Sequence, residues 1–407
     1  MSGVAGTRVE QDRLGTLELP ADGLAGIHSE RALRHLGFSG RRLADYPELV
    51  RALAQVKRAA ARANRAAGVL DAREAAAIEA ACEALESGAH AAALAVDPLA
   101  GGGGIAVNMN VNEVIAGLAS RGGVPLDPKR HVNASQSSAD VCHTAHRLAV
   151  LERGSALAAS LAGLVAALRE QAAAGRELPT IARTCLRDGL ATSAGALFGG
   201  HADALARRSG ALARSVEALC AVNLGGTVIG SGEGAPPAYR EVVLGELAAL
   251  CGRALTRRAS LEDAAQNADD LGAVSSELAA IARVAIKLAA DLRLLASGPA
   301  TGFGEIELPP VIEGSSFFAG KSNPVVPETL LHCAFQVLGC DRAAQLAVER
   351  GELHLNVFEA VAAVNVLDAM AMLARAVPHA AACVRGLRFD VGRCRSHAAG
   401  AHPIGTS

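Results

Sequence analysis

Tryptophan is absent from this 407-residue chain, and aromatic residues together make up only 2% of it. Yet 51% of the residues are hydrophobic. The apolar mass is therefore Ala, Leu and Val, which favours helices that pack closely through small side chains. Charge of one sign is also missing: the formal net charge is −2. That excludes the basic footprint expected of a nucleic-acid or anionic-membrane partner. Nine cysteines are scattered from Cys82 to Cys394 without one C-x-x-C pair, which argues against a zinc ribbon or a thioredoxin-like site. His143 and His146 lie close in sequence and His146 is one turn on from Cys142, but no further ligand follows at metal spacing, so we expect no metal and no cofactor. Without a signal peptide, reduced thiols in a cytoplasm are the expectation. No uninterrupted apolar run approaches the ~20 residues of a membrane span. Strand-like alternation is nearly absent as well.

What the chain does contain is helical periodicity. A length of 407 residues predicts two or three domains. Residues 1–40 read as irregular. Helix is predicted over 46–95 with breaks near Gly68 and Gly88, then a Gly-rich loop over 97–107 and a helix from about Asn110. Apolar residues at three and four spacing predict a long helix from Gln136 to about Ala174. Further helices are predicted over 199–222, 239–255, 265–297, 325–349 and 352–377. The tail from Gly386 reads as irregular. The fold class is thus all-α, with helices long enough for a bundle. We divide it into an N-terminal helical domain (1–134), a central long-helix bundle (135–377) and a C-terminal segment (378–407).

One segment stands out chemically. Gly314-Ser315-Ser316-Phe317-Phe318-Ala319-Gly320-Lys321-Ser322-Asn323-Pro324 puts three hydroxyls, a lysine and a side-chain amide within eleven residues. Small residues let it bend over a ligand. Lys321 and Asn323 supply the donors a carboxylate needs. A serine near a cation and backbone N–H groups becomes an unusually acidic alcohol, and so a proton-abstracting base.

Through Pro324-Val325-Val326-Pro327-Glu328 this segment, residues 314–328, resembles the signature loop of the fumarase/aspartase superfamily, leaning towards its aspartase branch. The resemblance covers nearly the whole chain. It includes Arg8-Val9-Glu10, Asn108-Met109-Asn110-Val111-Asn112-Glu113, Ser135-Gln136-Ser137-Ser138-Ala139-Asp140, Arg183-Thr184-Cys185-Leu186-Arg187-Asp188 and Leu355-Asn356-Val357-Phe358-Glu359. It implies a homotetramer with a core of long central helices, each active site shared by three subunits. It implies β-elimination on a small succinate-type dicarboxylate, releasing fumarate through an aci-carboxylate dianion that preorganised donors must stabilise. Carried over by position, Ser315 is the general base. Lys321, Asn323 and Thr184 hold one carboxylate. Ser137, Ser138 and Ser316 donate to the other; taken alone Ser137 and Ser138 read as helix caps, but within the full S-Q-S-S-x-D block ligand binding is favoured. Asn110 and Glu328 support the site from behind.

The departures fall on the leaving-group side. Where the family places polar contacts to the ammonia, this chain has Ile105, Ala139 and Cys185, with Ala106 beside them. Burying an ammonium there without partners costs several kcal/mol. Arg187 adds a charge near Cys185. The resemblance also implies a longer C-terminal domain than the residues after 377 supply. These differences point to a leaving group other than plain ammonia. An ordinary aspartase, a fumarase, and a catalytically inactive relative remain as alternatives.

Overall fold

In the computed structural model, residues 6–402 are described. The chain opens with a hairpin, β1 (Thr7–Asp12) and β2 (Gly15–Pro20), followed by α1 (Ile27–His35), α2 (Pro47–Ala66), α3 (Ala72–Glu86) and α4 (Ile105–Arg121). The longest helix, α5 (Ser138–Ala174), leads to a second hairpin, β3 (Pro179–Thr184) and β4 (Arg187–Ser193), and to α6 (Ala196–Ala218). Then come β5 (Ala221–Val222), α7 (Pro237–Cys251), β6 (Thr256–Arg257), α8 (Leu261–Gln266) and α9 (Asp269–Leu295). The chain ends through β7 (Ile306–Glu307), α10 (Val325–Glu349), α11 (Glu359–Gly386), β8 (Arg388–Phe389) and α12 (Val391–Ala398). The strands form only two-stranded ladders, so the all-α class holds.

Four local expectations are corrected. Within the stretch expected to be irregular, residues 7–20 form a hairpin and 27–35 a helix: Asp12 Oδ1 accepts from Leu14 N at 2.8 Å, so an aspartate turn, without an Asn-Gly signal, closes the hairpin. Helix α4 starts at Ile105, because Gly102, Gly103 and Gly104 all take positive φ and end the loop there. Helix α11 runs through Pro378 to Gly386, where buried Ala380, Ala381, Cys383 and Val384 offset the lost backbone bond. The tail forms α12, capped by Asp390 and anchored by the buried Cys394.

The chain divides into two compact units. The first comprises Met1–Arg153, Val216–Ala273 and Ala343–Leu367. Within it α2 packs against α3 and α7. Its polar centre is a buried cluster: Arg147 makes paired bonds to Asp270 (2.7 and 2.9 Å) and to Glu359 (3.2 and 3.1 Å). His146 Nδ1 lies 3.0 Å and His143 Nδ1 3.2 Å from the same Glu359 carboxylate. Burial alone would raise the Glu359 carboxyl, but Arg147 and the two imidazoles hold it well below the usual range.

The second unit comprises Gly154–Ser215, Val274–Arg342 and Asp368–Ser407. Here the buried Glu305 accepts from Thr180 Oγ1 (2.8 Å), Arg183 Nη2 (2.8 Å) and His397 Nδ1 (2.7 Å). The backbone N–H of His402 donates to the carbonyl of Gly189 at 2.9 Å. Helix α12 and the residues after it thus tie down the β3–β4 hairpin.

By length and composition alone, α5 and α11 could cross a membrane. Both contribute to buried ionic contacts: α5 supplies His143, His146 and Arg147, and α11 supplies Glu359.

Candidate active site

Three segments carry the residues singled out above. The first is the start of α5. Ser137 Oγ accepts from Ala139 N at 3.2 Å, the helix-capping contact. Ser138 Oγ accepts from Asn108 Nδ2 at 2.8 Å. Each hydroxyl is engaged as an acceptor, which leaves its own O–H to donate to a carboxylate. Behind them Asp140 is fully buried and accepts from the backbone N–H groups of Ser137, Gly225 and Thr227. Burial pushes its carboxyl up to about 6, against the pull of those donors.

Residues of α4 back this segment. Gly104 lets the two helices approach: a Cβ there would stand 2.6 Å from Cys142 Sγ. Asn108 reaches Ser138, whereas Asn110 faces away, donating to Ser29 Oγ and to Ala93 O, both at 2.9 Å. Ile105 is exposed and Ala106 buried, and both line a cleft of about 1440 Å³ with His28, Met109 and Lys129. Ala139 is buried. At the far wall Glu113 caps α1, accepting from the N–H groups of Gly26, His28 and Ser29, from Ser29 Oγ and from His28 Nδ1.

The second segment is the tip of the β3–β4 hairpin. Thr184 pairs with Arg187 across a two-residue turn made of Cys185 and Leu186. Both turn residues take positive φ, 53° and 58°, as this turn geometry requires and non-glycine residues rarely adopt. Thr184, Cys185 and Arg187 are exposed. Strain held at an exposed tip is a mark of a functional loop.

The third segment is the 314–323 loop. Gly314 sits so close to the Lys321 carbonyl that a Cβ would overlap it, and Asn323 Nδ2 donates to the Gly314 carbonyl. The loop is thereby closed on itself. Ser315 Oγ accepts two backbone N–H bonds, from Phe317 (3.1 Å) and Phe318 (2.9 Å). Lys321 Nζ lies 5.7 Å from the Phe318 ring centroid. Ser316 and Lys321 are exposed. Glu328, in the first turn of α10, faces Arg293 at 3.6 Å.

Sequence reasoning missed the partners behind Ser138. Lys57 of α2 is fully buried and donates to Asn133 Oδ1 (2.9 Å) and Gln136 Oε1 (3.0 Å). Asn108 and Asn112 donate to the same Asn133 oxygen. A lysine on an otherwise apolar helix face was the available signal. Among the described residues no group of three His, Cys, Asp or Glu side chains is arranged to hold a metal.

Comparison with known proteins identifies the family. Residues 15–339 match a family described as lyase. Over 417 aligned residues the chain is 41% identical to an aspartate ammonia-lyase of Pseudomonas aeruginosa, covering 100% of this chain and 87% of that enzyme. It is 35% identical to the aspartate ammonia-lyase of Escherichia coli, covering 96% and 84%. Among solved structures, a fumarate lyase:delta crystallin from Brucella melitensis superposes with a TM-score of 0.94 at 39% identity, over 96% of this chain and 87% of that one. A class II fumarase from Schistosoma mansoni gives a TM-score of 0.92 at 26% identity, over 96% and 87%. With the family's motifs present from Arg8 to Glu359, the chain belongs to the aspartase/fumarase superfamily of lyases, on its carbon–nitrogen, ammonia-lyase-like side.

Proposed function

We propose that this protein catalyses β-elimination on a succinate-type dicarboxylate, or the reverse addition, with fumarate or a fumarate-like product. The single observation that carries the reading is Ser315 Oγ accepting two backbone N–H bonds in a loop that also presents Lys321 and Asn323. Two donors on one hydroxyl oxygen stabilise its alkoxide, and so lower the cost of losing its proton. The Ser315 alkoxide takes the proton beside one carboxylate. The C–H electron pair moves into that carboxylate, giving the aci-dianion that Ser137, Ser138 and Ser316 receive as donors. Lys321, Asn323 and Thr184 hold the other carboxylate. The dianion then collapses to the alkene and expels the leaving group with its bonding pair. Glu328 and Arg187 act from behind these contacts. The site is assembled from three subunits of a cytoplasmic homotetramer.

The leaving group is taken to be something other than plain ammonia. Ile105 and Ala139 offer no polar side-chain atom, and Cys185 offers only a thiol, where an ammonium needs acceptors. The second reading, ordinary aspartate ammonia-lyase activity, is favoured by 41% identity to an enzyme of that name along the whole chain. One experiment separates them. Purified protein is given aspartate, malate and a panel of N-substituted, nitro- and hydrazino-succinates, with fumarate followed by ultraviolet absorbance. Fumarate from a panel member with aspartate silent supports the altered pocket. Fumarate from aspartate at aspartase rates establishes the second reading, and silence throughout counts against both.

A further inference from the structure

Lys57 is an anomaly in this fold. Its side chain is completely buried at 0% exposure, yet among the described residues no carboxylate lies within ion-pair distance of it. Buried lysines normally pair with an acid, because an unpaired ammonium in a poorly polarisable interior loses its hydration without recompense. Instead Nζ donates to two neutral amide oxygens, Asn133 Oδ1 at 2.9 Å and Gln136 Oε1 at 3.0 Å. Both acceptors belong to the turn that leads into α5. Asn133 Oδ1 is the focus of three donors, since Asn108 Nδ2 (3.0 Å) and Asn112 Nδ2 (3.1 Å) also reach it. Asn108 then donates onward to Ser138 Oγ at 2.8 Å. A continuous line of hydrogen bonds, turning at the shared acceptor Asn133 Oδ1, thus joins the ammonium to the hydroxyl.

We propose that Lys57 is a positioning residue whose buried positive charge is balanced by the substrate: through Asn133 and Asn108 it orients Ser138 and supports the negative charge that gathers on the carboxylate held there. The proposal rests on the dicarboxylate reading above and adds a charge to it. The donors already assigned at this end of the site, Ser137 and Ser138, are neutral hydroxyls. A dianion forming against neutral donors alone gains less than one with a cation close behind them in a low-dielectric interior. Lys57 and Asn108 both donate to Asn133 Oδ1, and Asn108 also donates to Ser138 Oγ, which leaves the hydroxyl O–H free to donate to the substrate.

The surroundings of Lys57 determine its protonation. Asp140 and Cys142 of α5 and Cys82 of α3 are the titratable groups that face it. Burial lowers its ammonium to about 7 and outweighs the opposite pull of those three. Both thiols are pushed up by burial and stay uncharged, so Asp140 is the one anion near it, held by three backbone donors. An anion arriving at Ser138 raises the proton affinity of Lys57, so substrate binding above neutral pH draws a proton into the protein.

The test uses succinate, which has two carboxylates and no leaving group, so it probes binding without turnover. Calorimetry at pH 8 in phosphate and in Tris buffers gives the number of protons taken up per site. The wild type is expected to take up a substantial fraction of a proton. Lys57→Met is expected to bind about tenfold or more weakly and to lose that uptake. A folded Lys57→Met protein with unchanged affinity and uptake overturns the proposal and leaves the dicarboxylate reading intact. Wild type that binds succinate with no proton uptake overturns it without any variant. Should Lys57→Met fail to fold, Asn108→Leu breaks the line beyond Lys57 and is expected to weaken succinate binding several-fold; unchanged binding there also overturns it. Absence of succinate binding by the wild type sinks the dicarboxylate reading and this inference with it.

Discussion

Glu359 accepts a hydrogen bond from His146 Nδ1 at 3.0 Å, although 213 residues separate the two in sequence. The same carboxylate binds Arg147, itself shared with Asp270. Because Glu359 stays ionised, the proton on this contact belongs to the imidazole, which fixes the His146 tautomer. The cluster is sealed, with the Arg147 and Glu359 side chains 1% and 2% exposed.

Removing the arginine from this cluster leaves two carboxylates without their shared cation. Arg147→Met should destabilise the fold by about 3–5 kcal/mol, the usual cost of breaking a buried pair on one side. Urea unfolding followed by circular dichroism would read this as a large drop in midpoint. An unchanged midpoint would show that Glu359 and Asp270 find other partners.

The Glu113 carboxylate gives a pH-dependent prediction. Burial pushes it up, but His28, Ser29 and the backbone donors more than reverse that, leaving it below the ordinary 4.5. A carboxyl lowered by folding contributes stability that is present above its unfolded value and lost as pH falls through the folded one. Glu113→Gln should therefore cost about 1–3 kcal/mol near neutrality. The gap between variant and wild type should narrow once the pH drops below 4.5. Melting temperatures at pH 7, 5 and 4 would check this, and a gap that widens in acid would contradict it.

Ser315 is predicted to matter for turnover and hardly at all for folding. It lies in a largely exposed loop, so Ser315→Ala gives up two hydrogen bonds that water can replace. With an accepted substrate, kcat should fall at least about a hundredfold, as expected for loss of a general base. The melting temperature should stay put. Normal turnover would remove Ser315 from the chemistry.

Cys185 is read as a small filler at a strained turn. Cys185→Ala should leave kcat within about twofold of wild type, since no step uses the thiol. Cys185→Val should do worse, because a β-branched side chain resists the 53° φ of this position and would displace neighbouring Thr184. Parallel assays of the two variants, with equal losses in both, would instead implicate the sulfur.

The parts of this molecule that lie close together in sequence were legible before the structure. Ser315, Lys321 and Asn323 share one loop, and the periodicity of α5 announced a long helix. What spacing could not show were partners brought together by packing. Lys57 meets Asn133 across 76 residues, and Arg147 meets Glu359 across 212. A lone Lys or Arg on a mainly apolar helix face shows one end of each pair, but nothing in the spacing names the distant partner. The N-terminal hairpin escaped for a different reason: Asp12 closes its turn through a side chain, without Asn-Gly. The tail escaped because Arg and Gly mask the one buried residue, Cys394, that holds α12 in place.

The strapping of the β3–β4 hairpin carries a consequence for the order in which the protein is built. Glu305 joins Thr180 and Arg183, more than a hundred residues upstream, to His397, which lies 92 residues downstream. Contacts of such long range form late, after loop closure has been paid for in chain entropy. On the ribosome, the strands that present Thr184 and Cys185 emerge with their anchors still unsynthesised. The hairpin can close early, but its seat is complete only once His397 has been added. A polypeptide stalled or clipped before α12 would therefore carry most of the described fold while its β3–β4 hairpin lacked a firm seat.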